Sequence, residues 1–324
     1  MIDELKIFKK IQGCIHGLAS GDAIGYVGEF NTVERRREMP SIVSRGAYGP
    51  DGVITRYPRE DGIPNGLYSD DTQMTLAVAD GLLDSQSYDV DEVMKNVSRR
   101  FVEWNKSPDN NRAPGFTCTG GAANLEKGIP WRKSGLNSYT CGSAMRVAPI
   151  GVLFYKDLDK LKEISEASAI STHNHPTSIA SATAAAYLVA RVMDDKDPRN
   201  VARVVEFTAG ISDDFTEKIR QVDEVMGLDY RDALHKLGAG WNGHEAVAAA
   251  LYCVKKNGFD FEKTVLMAAN TDGDSDSIAC IAGGIVGAYV GYDNIPVKFL
   301  RGLENRNLLF NTGKRLHQRV SRDN

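Results

Sequence analysis

The sequence predicts an all-α fold built by helix packing. Three observations predict it. Apolar residues recur at helical spacing in several windows, clear alternating strands are hard to find, and glycines step by four in two apolar segments. In chain order, the first element is a helix carrying Gly13, Gly17, Gly21 and Gly25. A four-residue step puts them on one slowly drifting face that allows close helix approach. Glycine costs a helix interior up to about 1 kcal/mol per residue. Either tight packing alone compensates, or packing that also brings polar helix ends together.

Asn31 to Tyr68 follows, with Pro40, Pro50, Pro58 and Pro64 and the charge run Glu34-Arg35-Arg36-Arg37-Glu38. It reads as a long loop. Met74, Ala77, Val78, Gly81 and Leu82, at i, i+3, i+4, i+7 and i+8, read as a second helix. Asn105 to Gly121, rich in Asn, Pro and Gly, reads as a second long loop, and long loops in compact domains are often functional lids. Ala180, Ala184, Tyr187, Leu188 and Val192 predict another helix, as do Ala246, Ala249, Ala250, Cys253 and Val254. Gly283, Gly287 and Gly291 mark a last glycine-striped helix. No segment has the composition of an interdomain linker and no repeat is visible, so residues 1–324 are expected to form one domain.

Composition narrows the function. The chain has 324 residues and a net charge of −4, a poor balance for sequence-independent nucleic-acid binding, which needs a basic stripe to displace counterions. Hydrophobic residues at 42% exclude global disorder. The apolar run Ser277 to Tyr292 is shorter than the roughly 20 residues a bilayer span requires. No basic segment followed by an apolar one opens the chain, so a cytoplasmic protein without membrane partners is expected. Five cysteines, with no CxxC pair, read as reduced thiols packed as small apolar groups.

Two acidic motifs carry the chemistry. Tyr68-Ser69-Asp70-Asp71-Thr72 stands where a loop enters a helix, and Thr271-Asp272-Gly273-Asp274-Ser275-Asp276-Ser277 precedes the last glycine-striped helix. Singly, each is a helix cap. Together they gather carboxylates and hydroxyls that repel unless a cation neutralises them. Oxygen donors without nearby His or Cys suit Mg²⁺, Mn²⁺ or Ca²⁺ rather than zinc. An EF-hand reading fails, because loop position 6 is Ser277 instead of Gly and position 12 is Gly283 instead of Glu. Ions shared between Asp70/Asp71 and Asp274/Asp276 are the better account, as in two-metal hydrolytic sites. A third acidic element is Gly21-Asp22-Ala23-Ile24-Gly25 with Glu29.

These blocks, with Gly142-Ser143-Ala144-Met145-Arg146-Val147-Ala148-Pro149-Ile150-Gly151 and Thr172-His173-Asn174-His175-Pro176, resemble the ADP-ribosylglycohydrolases in content and order. The similarity runs from about Ile11 to about Leu300. It implies an orthogonal multi-helix bundle with two Mg²⁺ or Mn²⁺ ions in a central cleft. The implied metal ligands are Ser69, Asp70, Asp71, Asp274, Asp276 and Ser277. Glu29 matches the acidic residue near the scissile bond, and Glu29, Asp71 and Asp274 form the implied catalytic set. Ser138, Tyr139, Thr140, Gly142 and Ser143 match the loop that cradles a diphosphate with backbone N–H groups, and His173 a residue lining the ADP-ribose cleft. Cys141 stands where the family often has Asn, and Thr140 where it often has Gly.

Asp22 is expected to brace the metal loops, Arg146 to form a structural salt bridge, and His175 to be structural. His16, His235, His244 and His317 read as surface or packing residues. Trp241 and Glu245 match a further block without assigned chemistry. The implied activity is hydrolysis of the bond between ADP-ribose and a protein or small-molecule acceptor, first of all arginine. A two-metal phosphohydrolase and a non-catalytic ADP-ribose-binding relative are the alternatives.

Overall fold

A computed structural model describes residues 2–38 and 47–323; Pro40 of the first predicted loop lies outside them. The molecule is all-α, with seventeen α-helices among the described residues and one two-stranded hairpin, β1 (Arg59–Glu60) and β2 (Ile63–Pro64). The helices that place the site are α1 (Ile2–Gly25), α2 (Asp70–Asp84), α3 (Val90–Lys106), α4 (Phe116–Glu126), α5 (Leu158–Ile170), α6 (Pro176–Met193), α7 (Gly243–Asn257) and α8 (Ser275–Val290). Buried apolar residues from Ile11 to Val320 form one contact cluster.

The axis of the core is the pair α1 and α8, which run antiparallel with their backbones touching. A Cβ on Gly13 would sit 2.1 Å from the Gly287 carbonyl oxygen, on Gly17 2.3 Å from that of Gly283, on Gly21 1.9 Å from that of Ala279, and on Gly25 2.4 Å from that of Ser275. Only glycine fits at these four rungs. Of the two readings of the stripe, tight packing alone gives way to the second: the close packing also lays the last turn of α1 against the first turn of α8. Ser275 Oγ donates to the Gly25 carbonyl at 2.7 Å and locks that end.

The predicted helical windows fall within α2, α6 and α7, with Met74, Val78, Ala180, Ala184, Ala246 and Ala250 all buried. The loop expected over Asn105 to Gly121 is shorter than its composition suggests. It ends at Gly115, and Phe116–Glu126 is helical. Here packing overrides weak local propensity. Gly121 lies so close to Thr172 that a Cβ would stand 2.6 Å from its Cα. The first loop also contains structure, the hairpin and a short helix Val33–Glu38. One member of its charge run, Arg36, is buried and donates to the Gly52 carbonyl and to Asn270 Oδ1.

All five cysteines are free and buried. Arg146 makes no salt bridge among the described residues. It is fully buried, donates to the Ser168 carbonyl and to Thr172 Oγ1, and lies over the Phe101 ring at 4.4 Å. Its role is structural, but through neutral acceptors and a ring face. His16 is buried against Tyr292, and His175 caps α6 by accepting from the Thr177 amide. No helix among the described residues is long and apolar enough to cross a membrane.

Candidate active site

Three helix ends meet at one place. α1 ends at Gly25 and the chain turns through Glu29; α2 begins at Asp70; α8 begins at Ser275. Their carboxylates face a cavity of about 390 Å³, lined by Glu29, Asp70, Asp71, Asp274, Asp276 and Ser277 on its acidic side. Segments remote in sequence thus converge because the glycine contact fixes α1 against α8.

Capping is real at both motifs. Ser69 caps α2, its Oγ accepting from the Asp71 amide, and Asp274 caps α8 by accepting from the Ser277 amide at 3.2 Å. Ser69 does not line the cavity. Asp272 belongs elsewhere too, accepting from the Val33 amide at 2.7 Å. Asp22 does brace the α2 entrance: its carboxylate accepts from the Ser69 amide at 2.8 Å, the Thr72 amide at 2.9 Å and Thr72 Oγ1 at 2.5 Å.

Capping leaves acceptors over. Asp71 Oδ2 and Glu29 Oε2 are buried without a hydrogen-bond partner. Burial, reinforced by neighbouring carboxylates, holds Asp70, Asp71 and Asp276 well above the usual carboxylate range. Burial raises Asp274 as well, and with the charges of Asp274 and Asp70 it pushes Glu29 up to about 8. A buried acceptor left unsatisfied costs about 1–3 kcal/mol. The cluster is thus an arrangement that positive charge would stabilise. As they stand, however, no three His, Cys, Asp or Glu side chains among the described residues converge closely enough to hold an ion.

The opposite wall comes from α4 and from the turn before α6. His173 is buried, Nδ1 paired with Thr172 Oγ1 and Nε2 with Thr140 Oγ1 at 3.0 Å; burial, with the Arg146 charge, pushes it far below the usual imidazole range, so it is neutral. Thr140, Cys141 and Gly142 line the cavity, whereas Ser138, Tyr139 and Ser143 do not. Ser138 Oγ is bonded to Thr117 and Thr140, Ser143 Oγ donates to the Ser178 carbonyl, and Tyr139 is half-exposed beside His175. Two of the expected backbone donors are already engaged, Ser138 N–H with the Leu136 carbonyl at 2.9 Å and Thr140 N–H with Ser138 Oγ, and the intervening loop residue Cys141 gives its N–H to the Trp241 carbonyl at 3.1 Å.

Sequence reasoning missed the rim. Phe30, Phe116 and Trp241 line the cavity yet remain exposed, Phe116 by 83%. Phe30 stacks on Trp241 with centroids 5.5 Å apart, and its backbone sits at φ +62°, a region a bulky residue rarely adopts. Trp241 is placed by Glu245, whose carboxylate accepts from the Gly240 amide at 3.2 Å. The only signal in the sequence was the block containing Trp241.

The family model of the ADP-ribosylglycohydrolases matches residues 3–324. An uncharacterised protein of Archaeoglobus fulgidus is 32% identical, with 96% of each chain covered. An ADP-ribosylarginine hydrolase of Serratia proteamaculans is 25% identical, covering 98% of this chain and 81% of that one. Among solved structures, an ADP-ribosylglycohydrolase-related protein complex matches with a TM-score of 0.65 at 22% identity, over 97% of this chain and 99% of that chain.

Proposed function

The chain belongs to the ADP-ribosylglycohydrolase family and is a hydrolase of glycosidic bonds to ADP-ribose, and from that premise we propose that it uses a binuclear Mg²⁺ or Mn²⁺ centre and acts first of all on arginine-linked ADP-ribose. One observation carries the reading: five carboxylates from both ends of the chain surround one cavity, with Asp71 Oδ2 and Glu29 Oε2 left unpartnered.

The donors fit hard divalent cations. Asp70, Asp71, Asp274 and Asp276 would hold them, with Ser277 Oγ and, from outside the lining, Ser69 Oγ. Such ions, when bound, supply positive charge for ribose hydroxyls and favour ionisation of a water. The protein supplies the rest. Asp22 fixes the α2 entrance, and the glycine contact fixes the α8 entrance. Cleavage breaks the bond between the anomeric carbon and the acceptor atom, with oxocarbenium-like charge on the ribose. Glu29, with a free oxygen on the cavity, takes the proton of the attacking water or orients the ribose. Neutral His173 and Thr140 offer hydrogen bonds on the facing wall.

The rim supports arginine as the acceptor. An acidic cavity edged by the aromatic faces of Phe30, Phe116 and Trp241 suits a planar cationic guanidinium, which stacks on such rings. The decisive experiment offers ADP-ribosylated arginine, serine and small-molecule acceptors with each metal and identifies products by mass. Free ADP-ribose and unmodified acceptor are expected. AMP release with phosphoribose left on the acceptor would overturn the reading in favour of a phosphohydrolase.

A further inference from the structure

We propose that Cys141 makes the carboxylate cavity a mixed oxygen–sulfur cation site, tilting its preference from Mg²⁺ towards borderline and soft divalent ions such as Co²⁺, Zn²⁺ and Cd²⁺. The proposal rests on the reading of the cavity as a cation centre. Cys14 and Cys253 are buried core thiols, as expected of small apolar groups. Cys141 is different. Its Sγ lies 2.8 Å from Asp274 Oδ2 and 3.5 Å from Ser277 Oγ, between two groups of the candidate ligand set. A second sulfur, Met145 Sδ, lies 3.7 Å from Ser277 Oγ, and all four residues line the cavity.

Asp71 supplies an independent pointer. It is 2% exposed, its Oδ2 has no partner, and it lines the same cavity. An ion entering there would satisfy that oxygen in the same cavity that Cys141 lines. Magnesium takes hard oxygen donors and gains little from a thiol, whereas thiolate donors select softer ions. The bookkeeping closes without a redox partner: the S–H bond breaks, a sulfur–metal bond forms, and the proton leaves to solvent.

The test uses the full-length protein freed of metal with chelator, as wild type and as Cys141→Ser, which keeps a hydrogen-bond donor to Asp274 but removes the sulfur. Mg²⁺, Mn²⁺, Zn²⁺ and Cd²⁺ are titrated by calorimetry and thermal shift, and Co²⁺ by absorption. The wild type should show a near-ultraviolet sulfur-to-cobalt charge-transfer band that Cys141→Ser lacks. Cd²⁺ affinity should fall roughly 10- to 100-fold in the variant, with Mg²⁺ affinity changed by less than about twofold. Cobalt binding without a sulfur band, or equal changes for Cd²⁺ and Mg²⁺, overturns the sulfur proposal while leaving the cation centre standing. Failure of every ion to bind the wild type overturns the cation centre and the proposal with it. Should the variant not fold, as judged by its metal-free melt, Cys118→Ser, which removes the other thiol lining the cavity, takes its place: the band should persist in it, and its loss overturns the assignment to Cys141.

Discussion

Gly21→Ala adds one methyl group to the tightest rung of the α1–α8 contact. Its Cβ would stand 1.9 Å from the Ala279 carbonyl oxygen and 2.6 Å from the carbonyl carbon, both backbone atoms that cannot rotate away. To reach an ordinary contact near 3.4 Å the helices must separate by about 1.5 Å at that point. Overpacking of this kind costs roughly 1–3 kcal/mol, and a backbone-to-backbone clash belongs at the upper end. Alanine's better helix propensity returns about 1 kcal/mol. The net loss is roughly 2 kcal/mol, a fall in Tm of about 3 °C for a chain of this size. Activity should suffer more than stability. The opening lies one turn from Gly25 and Ser275, and a displacement of about 1 Å at reacting groups can cost on the order of 10²-fold. The assay pairs a thermal melt with turnover of an ADP-ribosylated acceptor. Gly227→Ala, where an added Cβ meets nothing within 4 Å, serves as the control. If Gly21→Ala melts and turns over like the wild type, the two helices are not in backbone contact, and the explanation for the convergence of the carboxylates fails.

Three further predictions concern the site and its surroundings. Glu29→Gln should lower turnover by about 10²- to 10⁴-fold while leaving the melt and metal-induced thermal shift intact; unchanged turnover would remove Glu29 from the chemistry. Mg²⁺ or Mn²⁺ should raise the melting temperature, by about 2.7 kcal/mol of stabilisation at 100 times the dissociation constant, and Asp276→Asn should shrink that shift and the activity together. Capping alone predicts an active variant indifferent to chelation, since the cap of α8 is Asp274, which the substitution leaves in place. His16 gives the pH test. Burial lowers its imidazole to about 4 in the folded protein. Between an unfolded value near 6.5 and that folded value only the unfolded chain takes up the proton, so the stability it contributes is complete above about pH 6.5 and falls as pH drops, by roughly 2 kcal/mol at pH 5. Urea midpoints at pH 7 and pH 5 should therefore differ more in the wild type than in His16→Gln; equal differences would refute this account.

The features readable from sequence are those written in repeated spacings. Glycines four apart on two helices marked the contact between α1 and α8, and clustered aspartates before apolar runs marked both cavity entrances. Asp22 was readable as a brace because a lone carboxylate among small apolar residues needs donors, which the Ser69 and Thr72 amides provide. What escaped was decided by partners far along the chain. Phe116–Glu126 has a loop-like composition but becomes a helix against Thr172 and Leu136. Phe30 and Phe116 carry no local signal, since an exposed aromatic acquires meaning only from the cavity beside it. Arg146 was expected to pair with a carboxylate, and nothing in its own segment revealed the carbonyl, hydroxyl and ring that surround it instead.

The contact that organises the site also sets a schedule for making it. Ser275 and Gly25, joined by a hydrogen bond in the finished protein, are 250 residues apart in the chain. At about 5–20 residues per second of synthesis, α1 leaves the ribosome roughly 10–50 s before its partner exists. Throughout that interval its bare glycine face has nothing to pack against, and the acidic entrances of α2 and α8 have not met. Pairing of such distant segments is intrinsically slow. A nascent chain interrupted before α8 would thus carry most of the helices and only part of the carboxylate cavity, since Asp274 and Asp276 enter with α8.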